Sequence, residues 1–251
     1  MHSSITIKTP EEIAIMRHAG RILKAALDAI EQAIRPGVST AELDRIANEF
    51  ILSHDECVPA FRGYRGFPGA LCTSVNEEVV HGIPHADHIL NEGDIIGIDC
   101  GVLYQGFYTD AARTVLVGQV QPEVRHFVKT VKKALDQAIK IVREGAQVGD
   151  ISAAIEKTIE QQGYSPVAEC TGHGVGRDLH EAPEILNVGH KKTGPKLLAG
   201  MVLAIEPIAN MGRGDVETLQ DTWTVVSADG TPSAHFEHTV LVTERGYEIL
   251  T

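Results

Sequence analysis

Apolar residues in the first part of the chain recur at alternating steps of three and four: Ile13, Met16, Gly20, Leu23, Leu27, Ile30 and Ile34. One face of an α-helix has this spacing. Thr9-Pro10-Glu11-Glu12 supplies its start, with threonine as N-cap, proline in the first turn and glutamate three residues after the cap. Arg35-Pro36-Gly37 ends it. Ser39 and Glu42 predict a second capping box, opening a helix with the stripe Leu43, Ile46, Ala47, Phe50 and Ile51. Residues 59–69 read as a glycine-rich loop, 71–75 as a short strand, and the next loop carries His81.

The plan then repeats. A shift of 108 positions carries the stripe from Met16 onward to Val124, Val128, Val131, Leu135, Ala138 and Val142, and takes Arg35 and Gly37 to Arg143 and Gly145. A shift of 107 takes Gly93, Ile98 and Asp99 to Gly200, Ile205 and Glu206. One domain over 1–251 is expected, built from related halves at about 10–118 and 119–251 that share one core, each being too small for its own. The match loosens near the end. Thr239-Val240-Leu241-Val242 echoes Thr114-Val115-Leu116-Val117, but Glu237 precedes its threonine by two residues and Asp110 by four. Residues 211–230 read as an inserted loop.

Acidic residues interrupt the apolar runs of both halves. Asp99 ends Ile95-Ile96-Gly97-Ile98, Asp110 lies just before Thr114-Val115-Leu116-Val117, and Glu206 and Glu237 have similar surroundings. A buried carboxylate costs several kcal/mol unless a cation or hydrogen-bond donors compensate it. With His173 in Gly172-His173-Gly174-Val175-Gly176, these form an oxygen-rich set too large for one tetrahedral zinc and suited to two divalent ions bridged by carboxylates. The glycines around His173 lack dinucleotide-fingerprint spacing, and no Walker lysine or HExxH motif occurs.

Composition narrows the class. A chain of 251 residues, 43% hydrophobic, can bury a full core. Its net charge of -12 argues against binding to duplex DNA or an anionic membrane, leaving room for a local basic patch that touches RNA. The four cysteines form no CxxC pair, which fits a reducing cytosol. The first twenty residues lack the apolar core of a signal peptide, so a cytoplasmic protein is expected.

Asp99, Asp110, His173, Glu206 and Glu237, in this order, together with Val80-His81-Gly82-Ile83-Pro84, Ile205-Glu206-Pro207 and Glu237-His238-Thr239, resemble the motifs of the methionine aminopeptidases in family M24. The resemblance covers nearly the whole chain, and the compact length is similar to the bacterial type I enzymes. It implies an α/β (α+β) pita-bread fold: a curved antiparallel sheet, outer helices and an internal pseudo-twofold.

The resemblance further implies two divalent ions, cobalt, manganese, iron or zinc. Asp99 would hold one, His173 and Glu206 the other, and Asp110 and Glu237 would bridge both. Such a pair makes hydroxide available near neutral pH for removal of the N-terminal methionine from nascent proteins and peptides, favouring a small second residue. Glu206 would take the proton of water, His180 would stabilise the oxyanion, and His81 would bond the scissile amide. Phe61, Tyr64, Phe67, Cys72, Leu179 and Trp223 match the family's methionine pocket, with Phe61 and Leu179 standing where cysteine and phenylalanine are frequent. A monomer is expected, acting on nascent N-termini, with the ribosome as a candidate partner. Two other classes stay open: a proline-directed aminopeptidase of the same fold, and a non-catalytic ribosome-associated binding protein.

Overall fold

The computed structural model describes residues 4–251. Among them, helix α1 (Pro10–Ala33) is followed by α2 (Thr40–Leu52) and strands β1 (Cys57–Pro59), β2 (Leu71–Val75), β3 (Glu78–Val80), β4 (Ile95–Tyr104) and β5 (Phe107–Leu116). Then come α3 (Pro122–Ile139), α4 (Val148–Glu160), β6 (Ser165–Pro166), β7 (Thr171–Gly174), β8 (Glu181–Leu186), β9 (Val202–Ile205) and β10 (Ile208–Asn210). Strands β11 (Val216–Thr218), β12 (Val225–Ser227), β13 (Ser233–His235), β14 (His238–Thr243) and β15 (Gly246–Ile249) complete the chain.

The first helix starts as expected. Thr9 accepts the Glu12 N–H and the Glu12 carboxylate accepts the Thr9 N–H at 2.9 Å, a complete capping box. At α2 only half of the box forms. Ser39 accepts the Glu42 N–H, but the Glu42 carboxylate turns to Arg45, where a two-pronged ion pair replaces a single backbone bond.

The expected antiparallel pairing is present and, among the described residues, runs in four hydrogen-bonded sets of strands. Strand β4 pairs with β1, β2 and β5; β15-β14-β9-β7-β8 form a second antiparallel sheet; β13-β10-β6 and β11-β12-β3 are smaller ones. Residues 211–230, expected as loop, thus contain two strands, β11 and β12, which pair with each other, and β12 also pairs with β3. The β4–β5 hairpin turns at Gln105 and Gly106, whose φ values of 47° and 81° suit a tight primed turn.

Where β5 meets the end of the chain, two threonine hydroxyls bridge the sheets. Thr239 accepts the Asp110 N–H at 2.9 Å and donates to the Asp110 carbonyl at 2.7 Å. Reciprocally, Thr114 accepts the His235 N–H and donates to the His235 carbonyl, each at 2.9 Å. Between them the Glu237 N–H reaches the Ala112 carbonyl at 2.9 Å.

The core has two large parts joined by smaller apolar clusters that cross between the halves, such as Met16 and Phe107 with Val175, Val202 and Leu241. One apolar cluster, with Leu23, Leu27, Ile30, Leu43 and Ile51, lies between the first helix pair and β4 and β5. Another, with Phe127, Val131, Leu135, Ile151 and Ile155, lies under the second pair. Helix α1 also presses on the chain's end: a methyl group at Gly20 would lie 2.1 Å from the Leu250 carbonyl oxygen, so glycine is required there. The seam between the sheets carries buried polar side chains, among them Thr114, Thr239 and His235.

Candidate metal centre

Asp99 faces Ala112 across the β4–β5 hairpin, and Asp110 faces Gly101. With side chains alternating along each strand, this register sends both aspartates to the same face. Glu206 immediately follows β9, and Glu237 immediately precedes β14. The two glutamates therefore sit at strand ends rather than within strands, beside Pro207 and His238. His173 lies in β7, next to β9.

The histidine is fixed in a useful tautomer. Its Nδ1 is 2.9 Å from the Gly174 carbonyl, which can only accept, so Nδ1 carries the proton and the Nε2 lone pair is free. Nε2 lies 3.6 Å from Glu206 Oε1. Donor atoms of Asp110, His173 and Glu237 all lie within 4.8 Å of one another.

This donor set fits a cation. Asp99 Oδ1, Asp110 Oδ1 and Glu237 Oε1 are inaccessible and have no hydrogen-bond partner among the described residues. Burial pushes the Asp110 and Glu237 carboxyls well above the ordinary range, Asp110 further by the charge of Asp99 and Glu237 further by that of Asp110. Burial also raises Asp99 to about 6, with His235 opposing the rise, and Glu206 to about 7, with His173 opposing it. Acids crowded in this way need positive charge to ionise together.

The acids lie against a pocket of about 580 Å³, and all thirteen residues singled out from the sequence line it. Phe61, Phe67, Cys72 and Leu179 form a buried apolar cluster, with Tyr64 and Trp223 packed on it. The Phe67 and Trp223 rings meet edge to face at 5.1 Å. Gly101 leaves room for this wall: a methyl group there would sit 2.9 Å from the Phe61 ring and 2.8 Å from the Ala60 methyl.

Two histidines stand at the mouth. His81 follows β3 with a left-handed φ of 59°, its ring edge-on to Trp223 at 6.3 Å. His180 stacks against Tyr64, whose hydroxyl lies 3.0 Å from Nδ1, and its ring centre is 4.3 Å from that of His173. Although both keep an exposed edge, partial withdrawal from water and then a neighbouring imidazole, His173 for His180 and His235 for His81, hold them below the ordinary histidine range.

A model of metallopeptidase family M24 matches residues 14–244. The chain belongs to that family. As a family M24 member it is 46% identical over 247 residues to "Methionine aminopeptidase 1" of Bacillus subtilis, covering 98% of this chain and 99% of that protein. It is 45% identical to a methionine aminopeptidase of Clostridium acetobutylicum, covering 98% of each. The solved methionine aminopeptidase of Thermotoga maritima superposes with a TM-score of 0.97 at 44% identity, covering 99% of both chains. The prolidase of Pyrococcus furiosus matches less closely, with a TM-score of 0.79 and 26% identity, covering 98% of this chain but 65% of that one. These neighbours share the pita-bread architecture, and membership of a metallopeptidase family implies that divalent metal binds.

Sequence reading missed other pocket residues, among them Arg65, Glu169, Cys170, Thr171 and Thr218. It also missed His235, buried beside Glu206. A signal for His235 was present: a shift of 125 positions takes Thr114 to Thr239 and Asp110 to His235.

Proposed function

We propose that this chain is a methionyl aminopeptidase that removes the initiator methionine from nascent proteins and peptides with a small second residue. One observation carries the reading: unpaired carboxylate oxygens line the same pocket as a wall of aromatic and sulfur side chains. The wall suits a thioether, which packs well on aromatic rings. The acids suit the free ammonium of an N-terminus.

Asp99, Asp110, His173, Glu206 and Glu237 would hold two divalent ions, with Asp110 and Glu237 shared between them; cobalt, manganese, iron and zinc all accept such ligands. When bound, the ions supply positive charge that polarises the scissile carbonyl and acidifies water. Glu206, lining the pocket beside His173, would receive the proton of the attacking water and return it to the departing amine. The Tyr64 hydroxyl lies 3.0 Å from His180 Nδ1, and by donating to it would leave the Nε2–H to donate to the oxyanion. His81, beside Trp223, would bond the scissile nitrogen, and neutral imidazoles suit both tasks.

The protein is proposed to act as a monomer in the cytoplasm on chains emerging from the ribosome. Among the described residues no helix is long and apolar enough to cross a membrane. The deciding assay compares methionine release from Met-Ala-Ser with cleavage of an Ala-Pro peptide, each with and without chelator. Chelator-sensitive release of methionine alone is expected. Turnover of Ala-Pro instead would establish the proline-directed activity, and no metal-dependent turnover of either would remove the enzyme reading.

A further inference from the structure

Beside the five candidate donors lies a buried imidazole that the proposed chemistry leaves without a task. His235 ends β13 with 4% of its surface exposed, and its Nε2 is inaccessible and lacks a hydrogen-bond partner among the described residues. Buried nitrogens of this kind are ordinarily paired. Glu206 Oε2 lies 3.5 Å away, while the other oxygen of the same carboxylate is 3.6 Å from His173 Nε2. Glu206 is thus flanked by an imidazole on each oxygen.

The backbone shows that this placement belongs to the seam. Thr114 clasps the N–H and carbonyl of His235, and Thr239 clasps those of Asp110. Each threonine stands four residues after the residue that the other one clasps. His235 and Asp110 therefore occupy reciprocal positions. Asp110 enters the acid cluster from β5, and His235 faces it from β13, with Asp99 also within electrostatic reach of the imidazole.

We infer that His235 is a positioning residue: its Nε2–H donates to Glu206 Oε2 and turns Oε1 toward His173 and the metal centre. The inference rests on the metal-centre reading. The present separation exceeds a hydrogen bond by a few tenths of an ångström, and a side-chain shift of about half an ångström closes it. A carboxylate with one oxygen turned to a cation and the other held by an N–H has its direction fixed by an outer partner, as metal-binding side chains commonly do. A glutamine amide at this position could donate the same bond; an aliphatic side chain could not.

The test titrates cobalt(II) into the full chain, followed by calorimetry and visible absorption, for wild type, His235→Gln and His235→Leu. His235→Gln is expected to keep the band shape and an affinity within about threefold, whereas His235→Leu should bind roughly 10–100-fold more weakly with an altered spectrum. Unchanged affinity and spectrum in His235→Leu would overturn the inference. Equal loss in both variants would also overturn it, because the imidazole itself would then be a ligand. If His235→Leu does not fold, nitrogen-15 NMR of the wild-type imidazole decides: a protonated Nε2 is expected before and after zinc addition, and a zinc-coordinated Nε2 refutes the role. Wild-type protein that takes up no cobalt would count against the metal centre, while the imidazole resonance of the metal-free protein still tests the Glu206 contact separately.

Discussion

Lys8 Nζ lies 2.6 Å from Glu181 Oε2, with both side chains almost wholly withdrawn from solvent. The same carboxylate accepts the N–H groups of Arg177 at 2.8 Å and Asp178 at 3.3 Å. It pins the turn that presents Leu179 and His180 to the pocket, so a contact from before the first helix governs part of the site. Lys8→Met removes one partner and leaves a buried carboxylate uncompensated. We expect a loss of about 3–5 kcal/mol in urea unfolding, together with a lower kcat. A variant as stable as wild type would refute this account of the turn.

The same pair sets a pH dependence. Burial pushes the Glu181 carboxyl up, but the Lys8 ammonium, the Thr6 hydroxyl and the Asp178 amide together leave it below the ordinary glutamate value. Stability from a depressed carboxyl is present above its unfolded pKa, about 4.3, and is lost as pH falls through the folded value. Unfolding free energy of wild type should therefore decline below about pH 4 more steeply than that of Lys8→Met. Parallel curves would count against the assignment.

At the metal centre the sign is reversed. Asp99 and Glu206 are raised to about 6 and about 7, and Asp110 and Glu237 lie well above the ordinary range. The metal-free protein should be most stable while these acids are protonated and should lose stability as pH rises through 6 and 7. Binding of a divalent ion must displace those protons. Chelated protein should therefore show a melting temperature that falls from pH 5 to pH 8, and manganese addition should remove that slope and release protons, measurable by calorimetry in two buffers. A flat profile for the chelated protein would be incompatible with a crowded acid cluster.

The apolar wall makes a separate prediction about specificity. Trp223→Ala removes the ring against Phe67, and Gly101→Ala drives a methyl group into Phe61. Each should lower kcat/KM for Met-Ala-Ser by roughly 10–100-fold, mostly through KM, while leaving metal content unchanged. A change in metal content would mean that wall and metal centre are not separable.

Thr239→Val keeps the shape of its side chain but removes the hydroxyl that satisfies the Asp110 backbone. The cost should be about 1–3 kcal/mol by denaturant unfolding, with weaker metal binding because Asp110 loses its support. Full retention of both properties would show that the seam does not hold the aspartate.

Much of this was readable from local pattern. The stripe from Met16 to Ile30 is buried as its spacing requires, and the acids in apolar runs meet at one pocket. Two things were not readable. The Ser39–Glu42 box is half made because Arg45, three residues further on, competes for the carboxylate, and capping patterns do not weigh such competition. Aligning Glu237 with Asp110 followed chemistry, acid to acid. The hydrogen bonds join Thr239 to the Asp110 backbone, Thr114 to the His235 backbone, and the Glu237 N–H to the Ala112 carbonyl, relations set by strands meeting far apart in sequence.

The threonine seam makes metal binding a measure of tertiary assembly. Asp99 and Asp110 arrive on one sheet, His173 and the two glutamates with the other, and neither group is a complete set. Free ion at one hundred times its dissociation constant adds about 2.7 kcal/mol of stability to whatever state binds it, and the proposed ligand set is complete only when the sheets are joined. The ion would act as a rivet between the two sheets, so loss of metal should loosen the contact between them before it melts the apolar clusters beneath the helices.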